Sequence, residues 1–80
     1  MRMNRLGYSL LTANRLKEAI EIFRINVTAF PESFNVYDSL GEGYMKSGQK
    51  ELAIQNYEKS LQLNPKNANA AAKLKELRGQ

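Results

Sequence analysis

The chain has 80 residues, of which 42% are hydrophobic and 25% are charged, so we expect one small globular domain and no long disordered region. Its net charge is +4, but Lys and Arg prevail at the two ends and acidic residues in the middle. This distribution does not predict the continuous basic stripe that a nucleic-acid backbone requires. The absence of cysteine and histidine excludes disulfides, thiolate chemistry and the common zinc and Ser-His-Asp sites, so we expect no metal, no cofactor and no catalysis.

Membrane insertion is not expected either. The longest apolar runs are a few residues long, far below the roughly 20 residues that a membrane-spanning helix needs. Residues 6–11, which follow the basic residues at the start of the chain, are also too few and too polar for the hydrophobic region of a secretory signal. The sequence therefore predicts a soluble module with no signal or transmembrane segment of its own, and it leaves the compartment open.

The sequence repeats itself with a period of about 34 residues, a length found in stacked helical repeats. A shift by this distance superposes Leu6-Gly7 on Leu40-Gly41, Ala19-Ile20 on Ala53-Ile54, and Pro31 on Pro65. Within each unit the apolar residues recur every three to four positions, which predicts two amphipathic helices joined by a turn. Each proline is expected to end a unit, because proline does not fit a helix interior. We therefore predict an all-α domain of five helices, with repeats at 1–33 and 34–67 and a capping helix at 68–80.

The first unit is the less regular of the two. Asn14 stands where the second unit has Gly48, and we expect it to adopt the left-handed geometry of the turn, which Asn tolerates well. Asn26 is a polar residue late in the second predicted helix, and we expect it to be hydrogen-bonded or partly exposed.

In the second unit Gly41 lies in the middle of a predicted helix, where it costs about 1 kcal/mol relative to Ala. We infer a close approach of the paired helix, with Ala53 as the small residue opposite Gly41. Two tyrosines, Tyr44 and Tyr57, are expected to fill the space between the helices. The apolar stripe of the second helix is predicted to contain Leu52, Ala53, Ile54, Tyr57 and Leu61.

The two ends of the chain differ. After residue 67 the buried stripe is predicted to continue through Ala68, Ala71, Leu74 and Leu77. The polar outer face of this last helix is expected to close the array, which would make Gly79-Gln80 the C-terminus. The start at Met1 has no helix cap, and we interpret it as a cut from a longer chain or as a surface for self-association.

These residues resemble the motif of the tetratricopeptide repeat family, whose period is the same. The match is closest in the second unit, at Tyr37, Leu40-Gly41, Tyr44, Gly48, Ala53, Tyr57, Leu61 and Pro65. The resemblance implies an α-solenoid of two helix-turn-helix repeats plus a C-terminal capping helix. It also implies a groove, lined by the first helices of successive repeats, in which partners lie as extended peptides or helices.

The resemblance further implies which side chains face that groove. We expect an apolar strip of Tyr8, Leu11 and Met45, flanked by the charged residues Arg5, Asp38, Glu42 and Lys73. One subgroup of the family holds the C-terminal carboxylate of chaperones with a clamp of Lys, Asn and Arg. That clamp is largely absent here, where Lys73 is its comparable cation.

The leading hypothesis is therefore a non-catalytic module that binds another protein or a peptide segment. One alternative is a structural module that associates with a second copy of itself. Another is an accessory tail of a larger bacterial hydrolase, because residues 4–42 also look similar to C-terminal repeat tails of some bacterial serine hydrolases. Neither nucleic acid nor a membrane is an expected partner.

Overall fold

The computed structural model describes residues 3–79, and it describes side chains from residue 6 onward. Within that range the chain forms five helices, α1 Met3–Thr12, α2 Leu16–Ala29, α3 Phe34–Lys46, α4 Lys50–Leu63 and α5 Ala68–Arg78. Each helix packs against the next one along the chain, and α1 also contacts α3. The predicted all-α helical-repeat architecture is confirmed.

Two short turns of equal geometry close the helix pairs α1–α2 and α3–α4. Asn14 has a φ angle of 62° and Gly48 a φ angle of 81°, so both adopt the left-handed conformation. In the first turn the amide of Arg15 donates to the carbonyl of Leu10 at 2.8 Å, and the corresponding bond of the second turn measures 2.9 Å. The expectation that Asn14 replaces a turn glycine is confirmed. Asn is one of the few residues that tolerate this conformation.

The core consists of two clusters of buried residues. The first cluster lies between α1, α2 and α3 and contains Leu11, Ala19, Ile20, Phe23 and Leu40. The second lies between α4 and α5 and contains Ala53, Tyr57, Ala70, Leu74 and Leu77. The half-buried ring of Tyr44 packs against both clusters and so joins them.

Within each helix pair, a glycine on the first helix contacts an aromatic ring on the second. A Cβ atom added to Gly41 would lie 3.0–3.1 Å from three ring carbons of Tyr57, and one added to Gly7 would collide with the ring of Phe23. The close approach expected at Gly41 is therefore present. The expected partner was wrong, because the nearest atoms belong to the ring of Tyr57 and not to Ala53.

The predicted stripe of α5 was partly wrong. Ala68 and Ala71 are exposed, whereas the buried residues of this helix are Ala70, Leu74 and Leu77. These three positions follow one another at intervals of four and three residues, which places them on one face of an α-helix. The alanine-rich start of α5 allowed more than one such face.

The exposure of two further residues bears on the expectations for them. Leu52 was predicted to lie in the buried stripe of α4, but 37% of its surface is exposed. Asn26 is 2% exposed, which excludes the partly exposed alternative for this residue and leaves the hydrogen-bonded one. No helix in the described part of the chain is both long and apolar enough to cross a bilayer.

The contact between Gly7 and Phe23 yields a stability prediction. Gly7→Ala should lower the free energy of unfolding by about 1–3 kcal/mol, because the new methyl group would overlap a buried ring. The ring cannot easily move away, since it packs edge-on against Tyr8 with ring centroids 5.2 Å apart. Urea unfolding followed by circular dichroism measures the change.

Gly48→Asn is the matched control. A Cβ atom added to Gly48 would have no other atom within 4 Å, and Asn14 already adopts the same backbone geometry in the first turn. The control should change the unfolding free energy less than Gly7→Ala does, because Asn is one of the few residues that tolerate this backbone conformation. Equal stability of Gly7→Ala and wild type would contradict the proposed role of the contact.

Candidate functional site

Side-chain hydrogen bonds join the helices α1, α3 and α5 along one face of the molecule. The hydroxyls of Tyr8 on α1 and Ser39 on α3 lie 2.9 Å apart. The amide Nδ2 of Asn69 on α5 donates to Oδ1 of Asp38 on α3 at 2.8 Å. These contacts make the three helices one continuous surface. We call this surface the groove and define it by Tyr8, Asp38, Ser39, Glu42, Asn69, Lys73 and Glu76.

Tyr8 is the aromatic residue at the α1 side of the groove. One edge of its ring packs on Phe23, and 36% of the residue remains exposed. Burial raises the pKa of its hydroxyl, the hydrogen bond with Ser39 lowers it, and the nearby negative charges of Glu42 and Asp38 raise it. Tyr8 therefore presents an accessible ring in a locally negative environment.

Asp38 is held in place by two amide groups. Nδ2 of Asn67 donates to Oδ2 of Asp38 at 2.9 Å, and Nδ2 of Asn69 donates to Oδ1 at 2.8 Å. Both donors are neutral, so they orient the carboxylate without cancelling its charge. Among the ion pairs of the described residues, none includes Asp38 or Glu42.

Asn67 links this carboxylate to the packing of α5. Its Nδ2 also donates to Oγ of Ser60 at 2.8 Å, and its Oδ1 accepts from the amide of Ala70 at 3.3 Å, which caps the first turn of α5. The hydroxyl of Ser60 in turn donates to the carbonyl of Phe34 at 2.9 Å. Sequence reasoning missed this network. An Asn directly before a helical segment is a capping signal that could have indicated it.

Not every predicted groove residue is available at the surface. Leu11 is 7% exposed and belongs to the first core cluster, so its assignment to an exposed apolar strip is corrected. Met45, its counterpart in the second unit, is half-buried and packs against the second cluster. The side chain of Arg5 lies outside the described residues. The apolar part of the groove thus consists of Tyr8 with a contribution from Met45.

Lys73 lies beside an acidic partner on its own helix. Its Nζ atom is 4.0 Å from Oε2 of Glu76, and both side chains are partly exposed. Such a pair, three residues apart on a helix surface, is worth a few tenths of a kcal/mol, about 0.2–0.5. Lys73 therefore has a carboxylate next to it, and its role as the cation of the groove stays a prediction.

Tyr57 lies beneath the groove. It is fully buried, and its hydroxyl oxygen has no hydrogen-bond partner among the described residues. Burial raises the pKa of this hydroxyl well above its usual range, and the charges of Asp38 and Glu42 add to the effect, followed by Tyr8 and Glu76. The ring of Tyr57 contacts Gly41, which lies between the groove residues Asp38 and Glu42 on α3.

The sequence was also compared with known proteins. Residues 34–67, which include α3, α4 and Asn67, match the family model described as Tetratricopeptide repeat. Residues 34–67 therefore form a tetratricopeptide repeat. A human relative, Superkiller complex protein 3, is 33% identical over 61 residues, which are 76% of this chain and 4% of the relative. The chain therefore spans a small fraction of the length of that relative.

The tetratricopeptide motif explains which part of the site could be predicted. The motif specifies Tyr57 as a ring between two helices, and the structure places the ring there, against Gly41. It does not specify a hydroxyl below the groove. Among the described residues, no three His, Cys, Asp or Glu side chains come together in a way that could hold a metal ion.

The unpartnered hydroxyl of Tyr57 leads to a prediction. Tyr57→Phe should leave the free energy of unfolding unchanged or raise it by about 1 kcal/mol, because a buried polar atom without a partner is removed. Tyr8→Phe is the control and should lower it by about 0.5–1.5 kcal/mol, because its hydroxyl bonds Ser39. Urea unfolding at neutral pH compares the two variants. A larger loss in Tyr57→Phe than in Tyr8→Phe would contradict this description of the site.

The stability of Tyr57→Phe should also depend on pH differently from that of wild type in the alkaline range. The folded-state pKa of Tyr57 is raised above the unfolded value of about 10. Its contribution to stability is therefore complete below about pH 10 and is lost as the pH rises further. Tyr57→Phe should lose less stability than wild type over that range.

Proposed function

We propose that this chain is a non-catalytic module that binds a segment of another protein in the groove formed by α1, α3 and α5. Tetratricopeptide repeats generally mediate protein–protein interaction. The observation that carries the proposal is the continuity of the groove, because the Tyr8–Ser39 and Asp38–Asn69 hydrogen bonds fix three helices side by side. An aromatic ring and two carboxylates are accessible along this surface.

The shape of the module suits an extended segment. Its longest dimensions are 27 Å, which an extended chain of about eight residues would span at roughly 3.3–3.6 Å per residue. Main-chain contacts and a few side-chain pockets are the usual means of holding such a segment. The human relative is named as part of a complex, which is in keeping with a role in protein assembly.

We further propose that the chain is organised as repeats 1–33 and 34–67 and a closing helix 68–80. The helix bounds support this division, since α1 and α2 fall in the first range and α3 and α4 in the second. We do not assign nucleic-acid or membrane binding, because the middle of the chain is acidic. The similarity to bacterial hydrolase tails stays a prediction from the sequence, and the match to a human relative does not support it.

Self-association is the second candidate function, and one observation favours it. Leu40 is 5% exposed because α3 packs against the first core cluster, whereas Leu6, at the corresponding position of α1, is 56% exposed. A helix from a second copy could cover Leu6 as the preceding helix pair covers Leu40. Covering an exposed leucine of this size would contribute about 1–2 kcal/mol.

The groove proposal predicts where a bound peptide perturbs the protein. Peptides of about ten random residues, long enough to cross the molecule when extended, are displayed on phage and selected on the immobilised chain. A selected peptide is then added to ¹⁵N-labelled protein. The amide shifts should change most at Tyr8, Ser39 and Glu42 and little at the exposed residues Lys17 and Gln55 on α2 and α4. Enrichment of no peptide, or shifts confined to α2 and α4, would overturn the proposed function.

The self-association candidate predicts a dimer that depends on Leu6. Sedimentation over a wide concentration range should then show a dimer in wild type and a monomer in Leu6→Lys. Ile25→Lys is the matched control, because Ile25 is 58% exposed and its counterpart in the second unit is already a lysine, Lys59. A wild-type monomer at all concentrations would remove this candidate.

A further inference from the structure

We infer that the groove selects partner segments that carry a lysine or arginine side chain, which it binds between Asp38, Glu42 and the ring of Tyr8. This inference rests on the proposed function and adds the chemistry of the partner to it. Five features of the groove carry it.

The first feature is the pair of carboxylates on α3. Asp38 and Glu42 are half-buried and lie four residues apart, so they share one face of that helix. The ion pairs formed by the described residues are Arg15–Glu18, Lys73–Glu76 and Arg78–Glu58. Lys46 follows Glu42 by one helical turn and does not pair with it. Within the described residues, both carboxylates therefore lack a cation partner and can take one from a ligand.

The second feature is the orientation of the Asp38 carboxylate. The amides of Asn67 and Asn69 each occupy one of its oxygens and leave further acceptor positions on both. Because Asn67 is anchored by Ser60 and by the start of α5, the carboxylate is positioned before a ligand arrives. Positioning in advance reduces the entropy that binding would otherwise cost.

The third feature is the unpartnered hydroxyl beneath the groove. Tyr57 is fully buried, its oxygen makes no hydrogen bond among the described residues, and its ring contacts Gly41, which lies between Asp38 and Glu42 on α3. The oxygens of both carboxylates accept hydrogen bonds at the surface, and the oxygen of Tyr57 is a further acceptor that lies buried in the core. A lysine ammonium or an arginine guanidinium supplies several donors and no acceptor, so it complements this set.

The fourth feature is the exposed ring of Tyr8. A cation within about 6 Å of an aromatic face gains about 0.5–1 kcal/mol at an exposed site. Tyr8 is 36% exposed, and its hydroxyl lies 2.9 Å from that of Ser39, the residue next to Asp38 on α3. A cation between the carboxylates could therefore also contact this ring.

The fifth feature is the contrast between the groove and the whole molecule. The chain has a net charge of +4, so non-specific attraction would favour acidic partners. A preference for basic partners must then arise locally, at Asp38 and Glu42. A preference for basic peptides would therefore indicate recognition by these two carboxylates, because general charge attraction would favour acidic peptides.

The experiment uses the random-peptide selection described above, carried out in parallel on wild type, Glu42→Gln and Glu51→Gln. Glu42→Gln removes one groove charge while keeping the size of the side chain. Glu51→Gln removes the same charge from an exposed residue in the first turn of α4. Circular dichroism confirms that each variant keeps its helix content.

Peptides selected on wild type and on Glu51→Gln should be enriched in lysine and arginine relative to the starting library, and those selected on Glu42→Gln should lose this enrichment. The best wild-type binder should lose about tenfold in affinity for Glu42→Gln and less than about twofold for Glu51→Gln, since loss of a charge-assisted bond costs about 1.4 kcal/mol. Replacing its basic residue by glutamine should cause a similar loss.

The outcomes separate this inference from the proposed function. Enriched peptides that map to the groove but show no excess of basic residues, or that bind Glu42→Gln as well as wild type, would overturn the inference and keep the function. Enrichment of no peptide, or mapping to α2 and α4, would overturn both.

Discussion

The close contact between a glycine and an aromatic ring within each helix pair is the constraint on which the structure depends. Gly7 faces Phe23 and Gly41 faces Tyr57, and the two contacts lie at corresponding positions of the two units. The contact sets how closely the paired helices approach, and the buried rings then form the centres of the two core clusters. The rings differ in one atom, because Tyr57 carries a hydroxyl that Phe23 lacks. That difference places a buried hydroxyl in the second core cluster, on a ring that contacts the helix carrying Asp38 and Glu42.

The polar contacts of the groove depend on the same arrangement. Once the helix pairs are set, α1, α3 and α5 lie near enough for short side chains to connect them. Ser39 reaches Tyr8 in one direction, and Asp38 reaches Asn69 in the other. These bonds are made by uncharged donors, so the negative charge of α3 is oriented but not neutralised. The chemistry of the groove therefore follows from packing at a distance from it.

The sequence predicted the features that are local or periodic. The repeat period indicated the helix pairs, and the turn at Asn14 followed from the ability of Asn to adopt positive φ. It did not predict which face of α5 is buried, because alanines at 68, 70, 71 and 72 allow several apolar faces and only contact with α4 selects one. Leu11 was misplaced for a related reason, since an apolar residue fits either a groove or a core and tertiary packing decides between them. The Asp38–Asn67 bond spans 29 residues, and pattern reasoning does not register such pairs.

Tyr44 couples the stability of the two helix pairs. In a linear array of repeats, each unit contacts its neighbours alone and can in principle melt by itself. Here one side chain packs against both core clusters, so the loss of either pair strips contacts from the other. A segment bound along α3 should therefore stabilise both helix pairs and not merely the one that it contacts.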